Sequence, residues 1–219
     1  MSNPMKRVII VEDHPMVRER LAELIRKEPG MEVCAEAEDA EHGVALIQEF
    51  LPDLAIVDIT LNGSSGLDLI KTLRTLALDT PVLILSMHDE AVYAQRALRA
   101  GASGYVMKSS PSGEVVAAAR KVLAGDIYLS PTMTTNMLRA LTPGGAQKHA
   151  AHPLDCLTDR EVRVLELIGQ GHSSSVIAGT LKVGVKTVET YRTRITEKLD
   201  LQNTFELQHF AIKWLWECK

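Results

Sequence analysis

The chain has 219 residues, is 46% hydrophobic and 24% charged, and carries a formal net charge of −4 at pH 7. That length exceeds a typical domain of ~100–150 residues, so two domains with real cores are expected. No run is apolar enough to span a membrane, residues 1–7 carry no signal-peptide pattern, and Cys34, Cys156 and Cys218 lack C-x-x-C spacing, which excludes a disulfide framework and a zinc site and predicts a cytoplasmic protein.

Apolar runs and helix-length segments alternate through the first half. Strands are expected at 6–11, 32–37, 53–57, 81–86 and 104–107, and helices at 14–27, 40–50, 66–76, 90–100 and 112–124. Turn chemistry marks the joints: Pro29-Gly30, Pro52-Asp53, Thr80-Pro81, Gly101 and Pro111. Asp39 and Asp89 stand where helix N-caps are expected. Five βα units in this length predict an α/β, doubly wound, flavodoxin-like domain with five parallel strands, over 5–126.

A short amphipathic helix is expected at 131–141, followed by a flexible linker at 142–153 that has no large apolar residue. His149 and His152 in that linker have no metal-ligand set around them. The connecting region is drawn as 127–154. Beyond it the period is helical throughout. Thr158 and Glu161 have capping-box spacing ahead of a helix ending at Gly169-Gln170-Gly171. Helices then follow at 173–181 and 186–199, with Gly184 expected to permit the tight turn between them, and a last helix at 204–219. A small all-α, four-helix domain over 155–219 is the result. The charge divides accordingly: residues 1–127 carry 13 Lys/Arg against 19 Asp/Glu, and residues 128–219 carry 11 against 9. The basic excess concentrates in Lys182, Lys186, Arg192, Arg194 and Lys198, which suits a nucleic-acid partner for the second domain.

Four strand ends each deliver a polar group. Glu12-Asp13 follow the first strand, Asp58 the third, Ser86 the fourth and Lys108 the fifth. In an open parallel sheet, ligands bind beyond the carboxyl ends of the strands, so these groups converge in one crevice. Mg²⁺ needs near-octahedral oxygen ligands, which Glu12, Asp13 and Asp58 supply. Asp58 can then serve as nucleophile toward phosphorus while Lys108 neutralises phosphoryl oxygens and Ser86 donates to one of them. His14 and His88 fall beside this cluster and are expected to be supporting or exposed, and Cys34 to be an inert core thiol.

Residues 6–124 resemble the receiver domain of two-component response regulators. The likeness is carried by Glu12-Asp13, Asp58-Ile59-Thr60-Leu61-Asn62-Gly63, Ser86, Lys108 and the run from Ala97 to Tyr105. It implies that Asp58 takes a phosphoryl group from a histidine kinase, that the Thr60 backbone carbonyl completes the metal site, and that Tyr105 swings inward as Ser86 moves toward the phosphoryl group. Asn62 departs from the family, which often has proline there. The runs 157–161 and 185–192 resemble the LuxR-type helix-turn-helix domain, and the whole chain is similar to the NarL/FixJ response regulators.

That likeness implies that the helix at 186–199 enters the major groove of double-stranded DNA. Lys186, Arg192, Arg194 and Lys198 suit phosphates, while Thr187, Glu189, Thr190 and Thr193 are placed near base edges. Val176 stands where the family often has an acidic residue. On the last helix Leu207, Phe210, Ala211, Trp214 and Leu215 share one face, and Phe205, Ile212 and Trp216 nearly the opposite one. The second face is expected to make a symmetric contact in an active homodimer bound to paired half-sites. Contact with RNA polymerase is a further expectation for such a regulator. Two alternatives stand beside this reading. A Mg²⁺-dependent phosphatase of the haloacid-dehalogenase type would use an Asp nucleophile, but it has a second Asp two residues on, where this chain has Thr60. An atypical regulator acting without phosphorylation would not need the complete acidic site. A dinucleotide-binding enzyme is excluded for want of G-x-G-x-x-G.

Overall fold

The computed structural model describes residues 4–140 and 153–217. They fall into two compact units divided between Asn136 and Met137. The expected linker, Pro153 apart, lies outside the described residues together with His149 and His152, as does Cys218.

The first unit runs β1 Lys6–Val11, α1 Pro15–Arg26, β2 Met31–Ala37, α2 Ala40–Phe50, β3 Leu54–Asp58, β4 Thr60–Leu61, β5 Ser64–Ser65, α3 Gly66–Thr75, β6 Val82–Ser86, α4 Glu90–Ala100, β7 Gly104–Met107 and α5 Ser112–Leu123. Five of these strands form one parallel sheet in the order β2-β1-β3-β6-β7. β3 and β6 are buried along their whole length. Burial on both faces is why they read as continuous apolar runs rather than as alternating ones. Val8, Ile10, Leu54, Ile56, Leu83 and Val106 face the layer of α1 and α5 and form a core with Leu21, Ile25, Val115 and Val122. Val11 points the other way, close enough to α2 that a Cβ on Gly43 would lie 3.0 Å from it. Helices thus cover both faces. Asp39 and Asp89 cap α2 and α4 as expected, accepting from the His42 and Ala91 N–H groups at 2.8 Å.

The chain order reverses beside β1, whose neighbours are β2 and β3. Loops leaving adjacent strands there turn to opposite faces and open a crevice at the carboxyl ends. The antiparallel pair β4/β5 lies directly after Asp58, where the pattern predicts only a connecting loop. Two-residue strands carry too little periodicity to be seen in a sequence.

The second unit holds the turn Pro153–Cys156 and four helices: α7 Asp159–Gly169, α8 Ser174–Leu181, α9 Val185–Lys198 and α10 Thr204–Glu217; α6, Pro131–Ala140, precedes them. The capping box forms, with Thr158 Oγ1 accepting from the Glu161 N–H at 3.3 Å and Glu161 Oε2 accepting from the Thr158 N–H at 2.7 Å. α10 lies hard against α7: a Cβ on Gly169 would stand 2.6 Å from the Ala211 carbonyl oxygen. The turn between α8 and α9 corrects one expectation. Gly184 has φ −72° and is only the N-cap of α9; the left-handed position is taken by Lys182, at φ 51°. The C-cap of α8 demands that conformation one turn after Ala178, whose carbonyl accepts the Val183 N–H at 3.0 Å, and a lysine occupies the place.

Candidate phosphoryl-acceptor and DNA-binding sites

Each strand end delivers its side chain to the crevice. Glu12 follows β1 with its side chain only 1% exposed, and Asp13 is next, at 10%. Asp58 is the last residue of β3, 4% exposed, and Ser86 the last of β6, fully buried. Lys108 lies one residue beyond β7 and is anchored by its own N–H to the Ser86 carbonyl at 2.7 Å. Its ammonium donates to Asp58 Oδ2 at 2.8 Å and stands 2.6 Å from Glu12 Oε2. Gly66 sits under the acceptor loop, where a Cβ would come within 2.2 Å of the Asp58 carbonyl oxygen. Only glycine allows that approach.

The electrostatics follow from the crowding. Burial pushes the Asp58 carboxyl above the usual carboxylate range; Lys108 opposes this, and the neighbouring Glu12 adds to the rise. Burial also works against the Lys108 charge, but Asp58 and Glu12 outweigh it and hold the ammonium above its ordinary value. Glu12, Asp13, His14 and Asp58 each offer one ligand atom, and these atoms all lie within 4.8 Å of one another. An acidic cluster of that spacing is compatible with Mg²⁺.

Thr60, Ser86 and Tyr105 meet through His88, for which the sequence pattern suggests only a supporting or exposed place. Thr60 Oγ1 is 2.7 Å from His88 Nε2, the His88 N–H donates to Ser86 Oγ at 3.1 Å, and the Tyr105 hydroxyl donates to the His88 carbonyl at 2.8 Å. Tyr105 is buried, 1% exposed. His14 is 68% exposed, its Nδ1 lying 2.7 Å from Asp13 Oδ1 and 3.2 Å from Glu12 Oε1. Its place after the acidic pair is visible in the sequence; the structure adds that it is the extended N-cap of α1. Cys34 is half-buried rather than a core thiol; its Sγ donates to the Val8 carbonyl at 3.5 Å, and burial pushes the thiol up.

On α9, Lys186, Thr187, Glu189, Thr190, Thr193 and Arg194 are exposed, while Val188 and Ile195 are fully buried. Thr190 and Thr193 donate their hydroxyls to the carbonyls of Lys186 and Glu189, one turn back. Arg192 lies along the helix, 3.9 Å from Glu189. Lys198 is paired as well: its ammonium donates to buried Glu161 Oε2 at 2.7 Å, which ties α9 to the start of α7. On α10, Leu207, Ala211 and Trp214 are buried, whereas Phe205 is 84% and Trp216 77% exposed and Ile212 lies at 38%.

Residues 8–120 match the family model of the response regulator receiver domain, and residues 155–211 match that of the bacterial regulatory proteins of the luxR family. The chain belongs to the LuxR-type response regulators. This response regulator is 34% identical over 210 residues to the oxygen regulatory protein NreC of Staphylococcus carnosus, covering 94% of this chain and 97% of that protein. It is 40% identical to a LuxR-family two-component response regulator from Aurantimonas sp. SI85-9A1, over 60% of this chain and 94% of that one, with a TM-score of 0.58. It is also similar to the response regulator ChrA of a heme-sensing two-component system, at 27% identity and a TM-score of 0.53 over 97% of this chain and 98% of that one. The response regulator therefore joins a receiver to a DNA-binding module of transcription control, and no described helix is long and apolar enough to cross a membrane.

Proposed function

We propose that this response regulator is phosphorylated on Asp58 by a histidine kinase and that the modification promotes dimerisation on DNA. The observation that carries the reading is the placement of Asp58, with one carboxylate oxygen on Lys108 Nζ at 2.8 Å and with Glu12 and Asp13 beside it. Lys108 holds Oδ2 in place and leaves Oδ1 to attack. The phosphorus–nitrogen bond of a phosphohistidine breaks as the Asp58 oxygen–phosphorus bond forms, and the electron pair returns to the imidazole. Lys108 then faces the phosphoryl oxygens, and Ser86 Oγ can turn to donate to one of them. Mg²⁺, held by Glu12, Asp13, Asp58 and the Thr60 carbonyl, would supply charge neutralisation at the phosphoryl group. The only catalysis assigned to the receiver is its own phosphorylation and dephosphorylation.

Ser86 and Tyr105 act as the switch in this reading, since both bond to His88 and a shift of Ser86 Oγ removes the partner of the His88 N–H. The boundaries proposed are 5–126 for the receiver, 127–154 for the connection and 155–219 for the DNA-binding domain. α9 enters the major groove, where Lys186, Arg192 and Arg194 meet phosphates and Thr187, Glu189, Thr190 and Thr193 meet base edges. With their hydroxyls bonded back to the helix, Thr190 and Thr193 present methyl groups, which suit thymine. Lys198, exposed at the end of α9, adds a further phosphate contact while pairing with Glu161. Phe205, Ile212 and Trp216 form the dimer contact, which presents two α9 helices to paired half-sites; RNA polymerase is the downstream partner and the cytoplasm the compartment. A small phosphodonor with Mg²⁺ should add one acid-labile phosphoryl group to the wild type and none to Asp58→Asn, as read by intact mass. Equal labelling of both would reject Asp58 as acceptor.

A further inference from the structure

We propose that Glu90 is a latch that fastens the start of α6 to the receiver and lets go when Asp58 is phosphorylated. The inference rests on the phosphorylation reading, with Ser86 as its switch, and extends it to the segment leading out of the receiver. Glu90 is the first residue of α4, two places beyond His88. Its Oε1 accepts the Ser130 N–H at 3.0 Å, across 40 residues of chain. Ser130 in turn starts α6: its Oγ accepts the Met133 N–H at 3.0 Å and its carbonyl the Thr134 N–H at 2.9 Å. Pro131 has no N–H, so the Ser130 N–H is the last backbone donor ahead of the helix. Met133 is buried and lies within the receiver's compact unit, so this first turn is docked.

A second tie runs beside the first and responds to different things. Tyr128 extends the sheet past β7: its N–H donates to the Ser103 carbonyl at 3.0 Å, its carbonyl accepts the Tyr105 N–H at 2.9 Å, and it pairs with Gly104 in parallel. Its hydroxyl donates to Glu114 Oε1 at 3.0 Å, and the Lys121 ammonium lies 5.6 Å from its ring centroid. Burial, with the Glu114 and Glu90 carboxylates beside it, pushes that hydroxyl up to about 12, which keeps it a protonated donor. These bonds join strand backbone and α5, which a turn of the Ser86 hydroxyl does not displace. Glu90, by contrast, is carried by the loop after β6. That loop is held through His88, whose N–H donates to Ser86 Oγ at 3.1 Å and whose carbonyl accepts from the Tyr105 hydroxyl at 2.8 Å. When Ser86 Oγ turns to a phosphoryl oxygen, the His88 N–H loses its partner and residues 87–90 shift with the start of α4. A parting of about half an ångström ends the Ser130 bond, since an N–H···O contact beyond ~3.5 Å is no longer a hydrogen bond. The bond lost is charge-assisted, stronger than a neutral one. Tyr128 therefore stays as the anchor, and α6 is freed from Ser130 onward.

The test is hydrogen–deuterium exchange of the full-length protein, read by mass spectrometry over residues 82–100 and 126–136. It compares Mg²⁺ alone with Mg²⁺ plus beryllofluoride, which stands in for the phosphoryl group on Asp58. Glu90→Ala and Glu90→Gln are run beside the wild type, with thermal melts to verify folding. In the wild type, beryllofluoride should speed exchange over residues 130–134 at least tenfold and leave the Tyr128 and Tyr105 amides unchanged. Glu90→Ala should exchange fast there in both conditions, and Glu90→Gln, which keeps a neutral acceptor, should fall between. A merely structural Glu90 would speed exchange in the variants yet leave the wild type insensitive to beryllofluoride. That result, or a full wild-type response in Glu90→Ala, would overturn the latch. Residues 82–100 report the switch independently: no change there with beryllofluoride would overturn the phosphorylation reading and this inference with it.

Discussion

Replacing Asp58 by asparagine should stabilise the receiver, and replacing Lys108 by methionine should destabilise it. Asp58 stands with Glu12 and Asp13 in a group whose ligand atoms are at most 4.8 Å apart, and its single ammonium partner is at 2.8 Å. At an effective dielectric of ~20, each such carboxylate pair repels by about 3.5 kcal/mol and the Lys108 pair attracts by about 6 kcal/mol. Two repulsions slightly exceed the one attraction, and the cost of burying the Asp58 charge comes on top. The net expectation is a gain of about 1–3 kcal/mol for Asp58→Asn in the absence of divalent ions. Lys108→Met leaves the carboxylates unopposed and should cost about 3–5 kcal/mol. The pH dependence has a definite sign. Because the folded-state Asp58 pKa is raised above its ordinary value of 3.8, its favourable contribution is complete below that pH and is lost as pH rises through the folded value. Asp58→Asn should remove this loss, so its advantage is full at neutral pH and vanishes in acid. Calorimetry of the full chain in EDTA at pH 7.5, following the receiver transition, should show Asp58→Asn melting ~4–12 °C above wild type. Added Mg²⁺ should then raise the wild type more than the variant and narrow the gap. An Asp58→Asn transition at or below that of the wild type in EDTA would refute the argument from like-charge crowding.

Gly66→Ala should cost about 3 kcal/mol and abolish phosphorylation, because its Cβ would meet the Asp58 carbonyl oxygen at 2.2 Å; Gly113→Ala, with nothing within 4 Å, should be neutral or slightly stabilising in the same urea titration. Equal midpoints for the two variants would contradict the packing of the acceptor loop. Glu161→Gln should lower the melting temperature of the DNA-binding unit by removing its tie to Lys198. Burial resists the Glu161 charge, but Lys198 and Thr158 hold its pKa below the ordinary 4.5, so the wild-type contribution is present above that pH and lost as pH falls through the folded value, a fall the variant should lack. Circular dichroism melts between pH 7 and pH 3 would read both effects. Ile212→Ser with Trp216→Ser should preserve folding and phosphorylation yet weaken binding to a paired site, and two protomers bound with undiminished affinity in analytical ultracentrifugation would rule out that dimer contact.

Chain-local features are legible in the amino-acid sequence by itself. Strands buried on both faces must be apolar along their length, so Val8–Val11, Leu54–Val57 and Val82–Leu85 announce a parallel sheet, and its topology alone sends the residues that follow toward one crevice. Thr158 with Glu161, and Asp39 and Asp89, are readable because a cap is satisfied within one turn of its own helix. The contacts between segments distant in sequence needed the fold. His88 links Thr60, Ser86 and Tyr105 only because β3, β6 and β7 lie side by side. Lys198 meets Glu161, 37 residues earlier, only because α9 packs beside the start of α7. The left-handed residue before α9 falls on Lys182 instead of Gly184 because the C-cap geometry of α8, not glycine content, selects the position. Composition and period determine which surfaces must be buried; which polar side chains then meet depends on long-range packing, to which no local pattern is sensitive.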